Sequence, residues 1–294
     1  MNFFKYMVSL IKRIIKKVLF INNTREGNTI NKFTYWSNKN VAATYNKNTK
    51  DPSLDNILNV IYCDIVEEYS SINSKILDIA AGTGVVSLEL AKRGFDITAT
   101  DISKEMLTVL NKKNNKIKIV AGDIFSTEFD HKFDVIVSRW FFPHMRDWPN
   151  LIRHISKNLL GDNGYLLFDM PNKDHINFAS TGSNQISDDL FGYNDDPNCS
   201  DQFFYASSSD DNLKKAAIES GLEFIARIPH GFFKSNKLIA NFGGDDLFLN
   251  NNKLSYKLKG EKSLENFLYS YEKFITPLIS NQLVHGSIIV LKKI

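Results

Sequence analysis

Lys75-Ile-Leu-Asp78-Ile-Ala80-Ala-Gly82-Thr-Gly84-Val-Val-Ser-Leu-Glu-Leu90 is an apolar strand that turns through small residues straight into a helix. Gly82 and Gly84 let the backbone turn sharply and approach a ligand, and the new helix aims its unpaired N–H groups at whatever sits there. Outward from this stretch the same alternation continues. Apolar runs at 96–100, 116–120, 133–138 and 165–170 are separated by helical patterns at 85–93, 104–113 and 149–160. A further helix over 210–220 feeds a sixth run at 222–228, and a seventh, 287–291, closes the chain. Strands alternating with helices predict an α/β fold, a doubly wound Rossmann-like sheet of seven mostly parallel strands. Asp101 and Ser103 are natural N-terminal caps of the second helix, while Gly94 and Gly161 suit the left-handed residue after the first and third.

Around this core the chain divides into a basic amphipathic segment (1–20), a linker or lid region (21–54) and the α/β domain (55–294), with insertions at 171–208 and 229–285. Loops leaving the carboxyl edge of a parallel sheet stand over its crevice, so the first insertion is the natural place for substrate recognition. The second holds a helix over 264–275, stopped by Pro277. Tyr269 and Lys273 on it mimic a dehydrogenase Tyr/Lys spacing but read as a solvated helical face.

Of the 36 Lys and Arg, five (Lys5, Lys12, Arg13, Lys16, Lys17) fall in the first twenty residues without an acid, so the body is almost neutral. That distribution argues against nucleic-acid binding, which needs positive charge across the folded surface. Phe3, Phe4, Met7, Val8, Ile11, Ile14, Ile15 and Val18 recur on one helical face. Three readings of the segment stay open: a helix lying on an anionic membrane surface, a helix docked on its own domain, or a cleaved presequence. No uncharged apolar run reaches the 18 or so residues that span a bilayer. The two cysteines, Cys63 and Cys199, stand apart with no metal-ligand spacing, as reduced thiols of a cytoplasmic protein do.

Two further acids strengthen the glycine loop. Asp101 ends the second strand, 19 residues after Gly82, where a carboxylate can accept both hydroxyls of a ribose. Asp123 ends the third, placed to meet the exocyclic amine of an adenine. A nicotinamide dinucleotide would also use a Gly-x-Gly and an acid at that spacing. Against it, Ser87 occupies the third-glycine position, a helix precedes the motif, and Asp123 has no task on a pyrophosphate. A protein that binds the nucleoside without catalysis is the other alternative.

From residue 74 to 170 these motifs resemble the class I S-adenosylmethionine-dependent methyltransferases. The likeness is nearest to the small-molecule branch that includes the ubiquinone and menaquinone biosynthesis methyltransferases. The resemblance implies S-adenosylmethionine as cofactor and an antiparallel last strand. It implies cofactor contacts at Asp78, Ala80, Gly82 and Gly84, at Asp101 with Ile102, at Asp123 with Ile124, and at Ser138 and Arg139. The stretch Phe133-Asp-Val-Ile-Val-Ser-Arg-Trp-Phe-Phe-Pro-His144 is similar to the family's fourth strand and the turn above the methionine moiety, with Pro143 where a second histidine often stands. Tyr35, Trp36 and Tyr45 lie where related enzymes fold a lid.

Methyl transfer from a sulfonium is an in-line displacement, helped mostly by positioning and, for a hydroxyl acceptor, by a base. His144 and His175, which follow the fourth and fifth strands, are the candidate bases. Trp140 is a candidate wall of the acceptor pocket. His154 reads as exposed, and His131, His230 and His285 are assigned no role. No metal is implied. The neutral body and basic start favour a small-molecule or lipid-linked acceptor, such as a glycan precursor or a quinone.

Overall fold

The computed structural model describes residues 54–175, 204–233, 262–284 and 286–294, together with positions 39, 42, 185–187 and 190–192. Segment 1–20, the lid aromatics Tyr35, Trp36 and Tyr45, and Cys199 and His285 lie outside the described residues, as does most of each insertion.

Among the described residues ten strands and six α-helices follow in order: α1 (Leu54–Glu68), β1 (Lys75–Ile79), α2 (Val85–Lys92), β2 (Asp96–Asp101), α3 (Lys104–Lys113), β3 (Lys118–Ala121), β4 (Phe133–Ser138), α4 (Trp148–His154) and β5 (Leu160–Pro171). Then come β6 (Gln185–Ser187), β7 (Leu190–Gly192), β8 (Phe204–Ala206), α5 (Asp210–Glu219), β9 (Leu222–His230), α6 (Lys262–Ser270) and β10 (Gly286–Lys293). Seven strands form one sheet in the order β3-β2-β1-β4-β5-β10-β9. In this sheet β10 runs opposite to the other six strands.

The near-continuous apolar strands require cover on both faces. Ile76, Val135, Val137, Leu167, Ile288 and Val290 point to one face, under α1, α2, α3 and Leu268 of α6. Leu77, Ile79, Ile136, Leu166, Phe168 and Ile289 point to the other, under α4 and α5. Tyr62 of α1 is fully buried because its phenol is spoken for: Oη donates to Leu167 O at 2.9 Å, and Ser138 N–H donates to Oη at 3.1 Å. Strand order reverses between β1 and β4, which puts the ligand crevice of a doubly wound sheet above their carboxyl ends.

Several expected boundaries move. Gly161 does not cap the third helix: a π-helical turn (Ile155–Leu159) runs directly into β5, and the left-handed residue is Asn163 (φ 61°). Asp101 is not the cap of α3 either; Ser103 is, accepting from Met106 N–H at 3.2 Å. The helical run of α6 and its π-turn ends at Ile275, and Pro277 sits in the 3-10 turn Thr276–Leu278 that closes it. The Tyr269 and Lys273 face packs on α1, where both side chains reach Asp64, Lys273 Nζ at 2.8 Å, and Asp64 also binds Arg93. The first insertion contains the antiparallel sheet β6-β7-β8. Its return is pinned beneath β5: Ser208 N–H donates to Pro171 O at 3.1 Å, and buried Asn172 accepts from Ser287 and Arg227.

Candidate functional site

The β1–α2 loop holds three left-handed residues, Ala80 (φ 57°), Gly82 (φ 55°) and Gly84 (φ 84°). The two glycines are there for different reasons. A Cβ on Gly84 would stand 2.2 Å from Leu110 Cδ1, so that glycine lets α3 pack against the loop. A Cβ on Gly82 would meet nothing within 4 Å. Its left-handed backbone therefore borders open space, the cradle a ligand needs. The hydroxyl of Thr83 between them is buried and has no hydrogen-bond partner among the described residues.

Asp101 locks this loop to the end of β2. Its Oδ2 accepts from Gly82 N–H and its Oδ1 from Ser103 N–H, each at 2.8 Å. Burial outweighs those two bonds and leaves its pKa raised. Asp78, 1% exposed, accepts from Ser87 Oγ at 2.5 Å. Burial, opposed by Ser87 and reinforced by the Asp101 charge, pushes its carboxyl up to about 7. Asp123 is exposed at the end of β3 and accepts from Phe125 N–H at 3.0 Å, with Ile124 buried and Ile102 exposed beside it. None of the three acids has an ion-pair partner among the described residues, an arrangement that invites a cationic ligand.

Beyond β4 the polar groups form a second cluster. Ser138 is fully buried and spends its Oγ on Ile79 O at 3.1 Å. Arg139 donates to Asn59 Oδ1 at 3.0 Å and to Asp169, with its guanidinium over the rings of Tyr62 and Trp140. Asp169 of β5 also accepts from His230 Nε2 at 2.7 Å and from Trp140 N–H at 3.1 Å. Burial works to raise the Asp169 carboxyl, and Arg139 and His230 together hold it below its ordinary value. Trp140 itself is left-handed, φ 59°, a conformation that costs a bulky residue strain.

His144 lies half-buried in the 3-10 turn Phe142–His144. His175 is buried after β5, and desolvation pushes its imidazole down to about 4. His154 is not simply exposed: its Nε2 lies 3.0 Å from Ile124 O and its ring packs on Phe125. Asp169, His230 and Ser87 carry polar geometry that sequence reading left unassigned. Asp169 was marked by standing at the carboxyl end of a strand, as Asp101 and Asp123 do. Pro229 hid His230, because it interrupts the apolar run of a strand that continues to residue 230.

A family model described as a methyltransferase domain matches residues 37–226, well over half of the chain. The chain belongs to the S-adenosylmethionine-dependent methyltransferase family. An uncharacterized methyltransferase of Staphylococcus carnosus is 30% identical over 111 residues, 37% of this chain and 53% of that protein. A ubiquinone biosynthesis O-methyltransferase of Hydrogenovibrio crunogenus is 23% identical over 128 residues, 41% of this chain and 53% of its own. The match thus spans about half the length of these curated relatives. The fold agrees with a crystal structure of an S-adenosylmethionine-dependent methyltransferase from Clostridium acetobutylicum: TM-score 0.50 and 16% identity, over 79% of this chain and 91% of that one.

Proposed function

We propose that this methyltransferase moves a methyl group from S-adenosylmethionine to a small-molecule or lipid-linked acceptor. The observation that carries the reading is the row of three acids, Asp78, Asp101 and Asp123, at the ends of β1, β2 and β3 with no ion-pair partner among the described residues. S-adenosylmethionine brings a sulfonium and an ammonium against one carboxylate, whereas a nicotinamide dinucleotide would use the acid at Asp101 but leave Asp123 without a task on its pyrophosphate. Ser87, in the third-glycine place of a dinucleotide site, is committed to Asp78.

In this reading Asp101 takes the ribose hydroxyls, Asp123 and Ile124 flank the adenine, and the Gly82 backbone and Thr83 hydroxyl meet the amino-acid end. The cofactor supplies an electrophilic methyl group. The chain's part is to hold the acceptor in line with it and to keep water out, which accounts for most of the acceleration in such displacements. The ubiquinone O-methyltransferase relative supports an acceptor of quinone-precursor type, and a glycan precursor is the alternative. The basic, amphipathic segment 1–20 supports contact with an anionic membrane surface where a lipid-linked acceptor would reside. Among the described residues no helix is long and apolar enough to cross a membrane.

Calorimetry tests the reading. S-adenosylmethionine and S-adenosylhomocysteine should bind, and NADH and NADPH should not. Asp101→Ala should lose roughly 1.5–3 kcal/mol per charge-assisted ribose bond. Equal affinity of wild type and variant, or preferential binding of a nicotinamide nucleotide, would overturn it.

A further inference from the structure

At the carboxyl edge, three side chains from separate strands form one buried unit: Arg139 follows β4, Asp169 lies on β5 and His230 ends β9. The His230 imidazole reaches Asp169 by crossing β10 at Gly286, whose position faces Pro171 on one side and His230 on the other. A Cβ there would lie 3.7 Å from His230 Cε1 and Nε2, so the ring rests on the glycine. The chain after His230 is also fixed. Buried Glu272 accepts from the N–H groups of Gly231, Phe232 and Phe233 at 2.9, 3.3 and 3.1 Å, clamping the strand exit. The ring of Trp140, on its left-handed backbone, stands edge-on to His230 with centroids 6.1 Å apart.

All this construction leaves two polar atoms unused. Nη2 of Arg139 and Nδ1 of His230 are buried and have no hydrogen-bond partner among the described residues. Buried polar atoms are almost always satisfied, so a pair of exceptions in one rigid cluster marks a place where a ligand completes the bonding. With Nε2–H donated to Asp169, Nδ1 presents a lone pair, and Arg139 Nη2 presents a donor. A hydroxyl is the group that gives a proton to the first and accepts one from the second.

We propose that His230 is the general base for a hydroxyl-bearing acceptor, with Asp169 as its positioning residue and Arg139 as the donor to the acceptor oxygen. The inference rests on the methyltransferase reading above and narrows it to O-methylation. The acceptor oxygen forms its bond to the methyl carbon while its proton passes to Nδ1 of His230. The electron pair of the broken carbon–sulfur bond stays on sulfur, which leaves as a neutral thioether. The positive charge moves to the imidazole and is held by the Asp169 carboxylate, the same division of labour that orients a catalytic histidine in hydrolases. The groups that bear on His230 are consistent with a base that starts neutral: burial lowers its pKa, Asp169 and the more distant Glu272 raise it, and Arg139 lowers it, with a net fall.

The test is nitrogen NMR of the full chain labelled at histidine and saturated with S-adenosylhomocysteine, whose binding is measured on the same sample by calorimetry. His230, assigned by comparison with His230→Gln, should be neutral at neutral pH with the proton on Nε2. Phenol should move its Nδ1 resonance saturably toward the protonated range, while toluene, of like size without the hydroxyl, should leave it in place. In Asp169→Asn the proton should redistribute to Nδ1; if that variant does not fold, the wild-type measurements alone decide. A proton on Nδ1 in the wild type, or equal effects of phenol and toluene, would overturn the inference. Failure of S-adenosylhomocysteine to bind would overturn the methyltransferase reading and this one with it.

Discussion

Asp78 makes the fold less stable as pH rises, and the effect is large enough to measure. Its folded carboxyl titrates at about 7, against an ordinary value near 3.9. Between those two values the folded chain keeps a proton that the unfolded chain has already lost. Stability therefore falls as pH climbs from ~4 to ~7 and is flat with respect to this group on either side. Three pH units at ~1.4 kcal/mol each set the ceiling at about 4 kcal/mol. Asp78→Asn keeps the shape and an acceptor for Ser87 Oγ but removes the charge. Urea unfolding of both proteins across pH 4 to 8, read as the difference between them at each pH, cancels every other titrating group. The excess stability of the variant should be small near pH 4 and should grow by up to ~4 kcal/mol by pH 8. A difference that stays constant across that range would refute the reasoning and would mean that Asp78 ionises in the folded chain as readily as in water. Cofactor affinity of the same variant should fall, since the buried charge is one that a cationic ligand would stabilise.

The two glycines should separate fold from binding. Gly84→Ala places a Cβ into Leu110 on a left-handed backbone and should lower the melting temperature through a loss of ~2 kcal/mol or more; Gly82→Ala should cost only the ~1–2 kcal/mol of its left-handed φ yet weaken S-adenosylhomocysteine binding in calorimetry at least tenfold. Segment 1–20 should carry the protein onto anionic vesicles and not neutral ones, with each cation contributing at most ~1 kcal/mol. Cosedimentation should disappear on deletion of the segment and weaken in high salt; a full-length chain that ignores anionic vesicles at low salt would exclude the membrane reading.

The parallel core was legible because its strands are short and apolar and those before α2 and α3 turn straight into a helix whose ends are marked, as at Ser103 and Gly94. Where strands lacked that punctuation, reading failed. Leu160 continues from a π-turn into β5 without a break, so the glycine that follows looked like a helix stop. Pro229 broke the apolar pattern of β9 just before the strand delivered His230 to the crevice. The site divides along the same line. Asp78, Gly82, Asp101 and Asp123 are spaced by the local geometry of successive strand exits, which sequence spacing encodes. The cluster of Arg139, Asp169 and His230 joins residues 30 and 61 positions apart through the order β4-β5-β10-β9. No local signal records that the last strand inserts between its two predecessors and brings their ends together.

That topology also gives the carboxyl edge two electrostatic halves. On the β1 to β3 side the acids make no ion pair among the described residues, and burial raises Asp78 and Asp101, so that half favours positive charge. On the β4 to β9 side one carboxylate is already matched by one guanidinium, and a neutral imidazole completes the group. A methyl transfer from a sulfonium moves one positive charge from the cofactor to the proton that the acceptor releases. Under the proposed function the first half would face that charge before transfer. In the O-methylation proposed above, the second, with Asp169 hydrogen-bonded to His230, would receive it afterwards, and the reversal of strand order between β1 and β4 is what puts the two halves side by side.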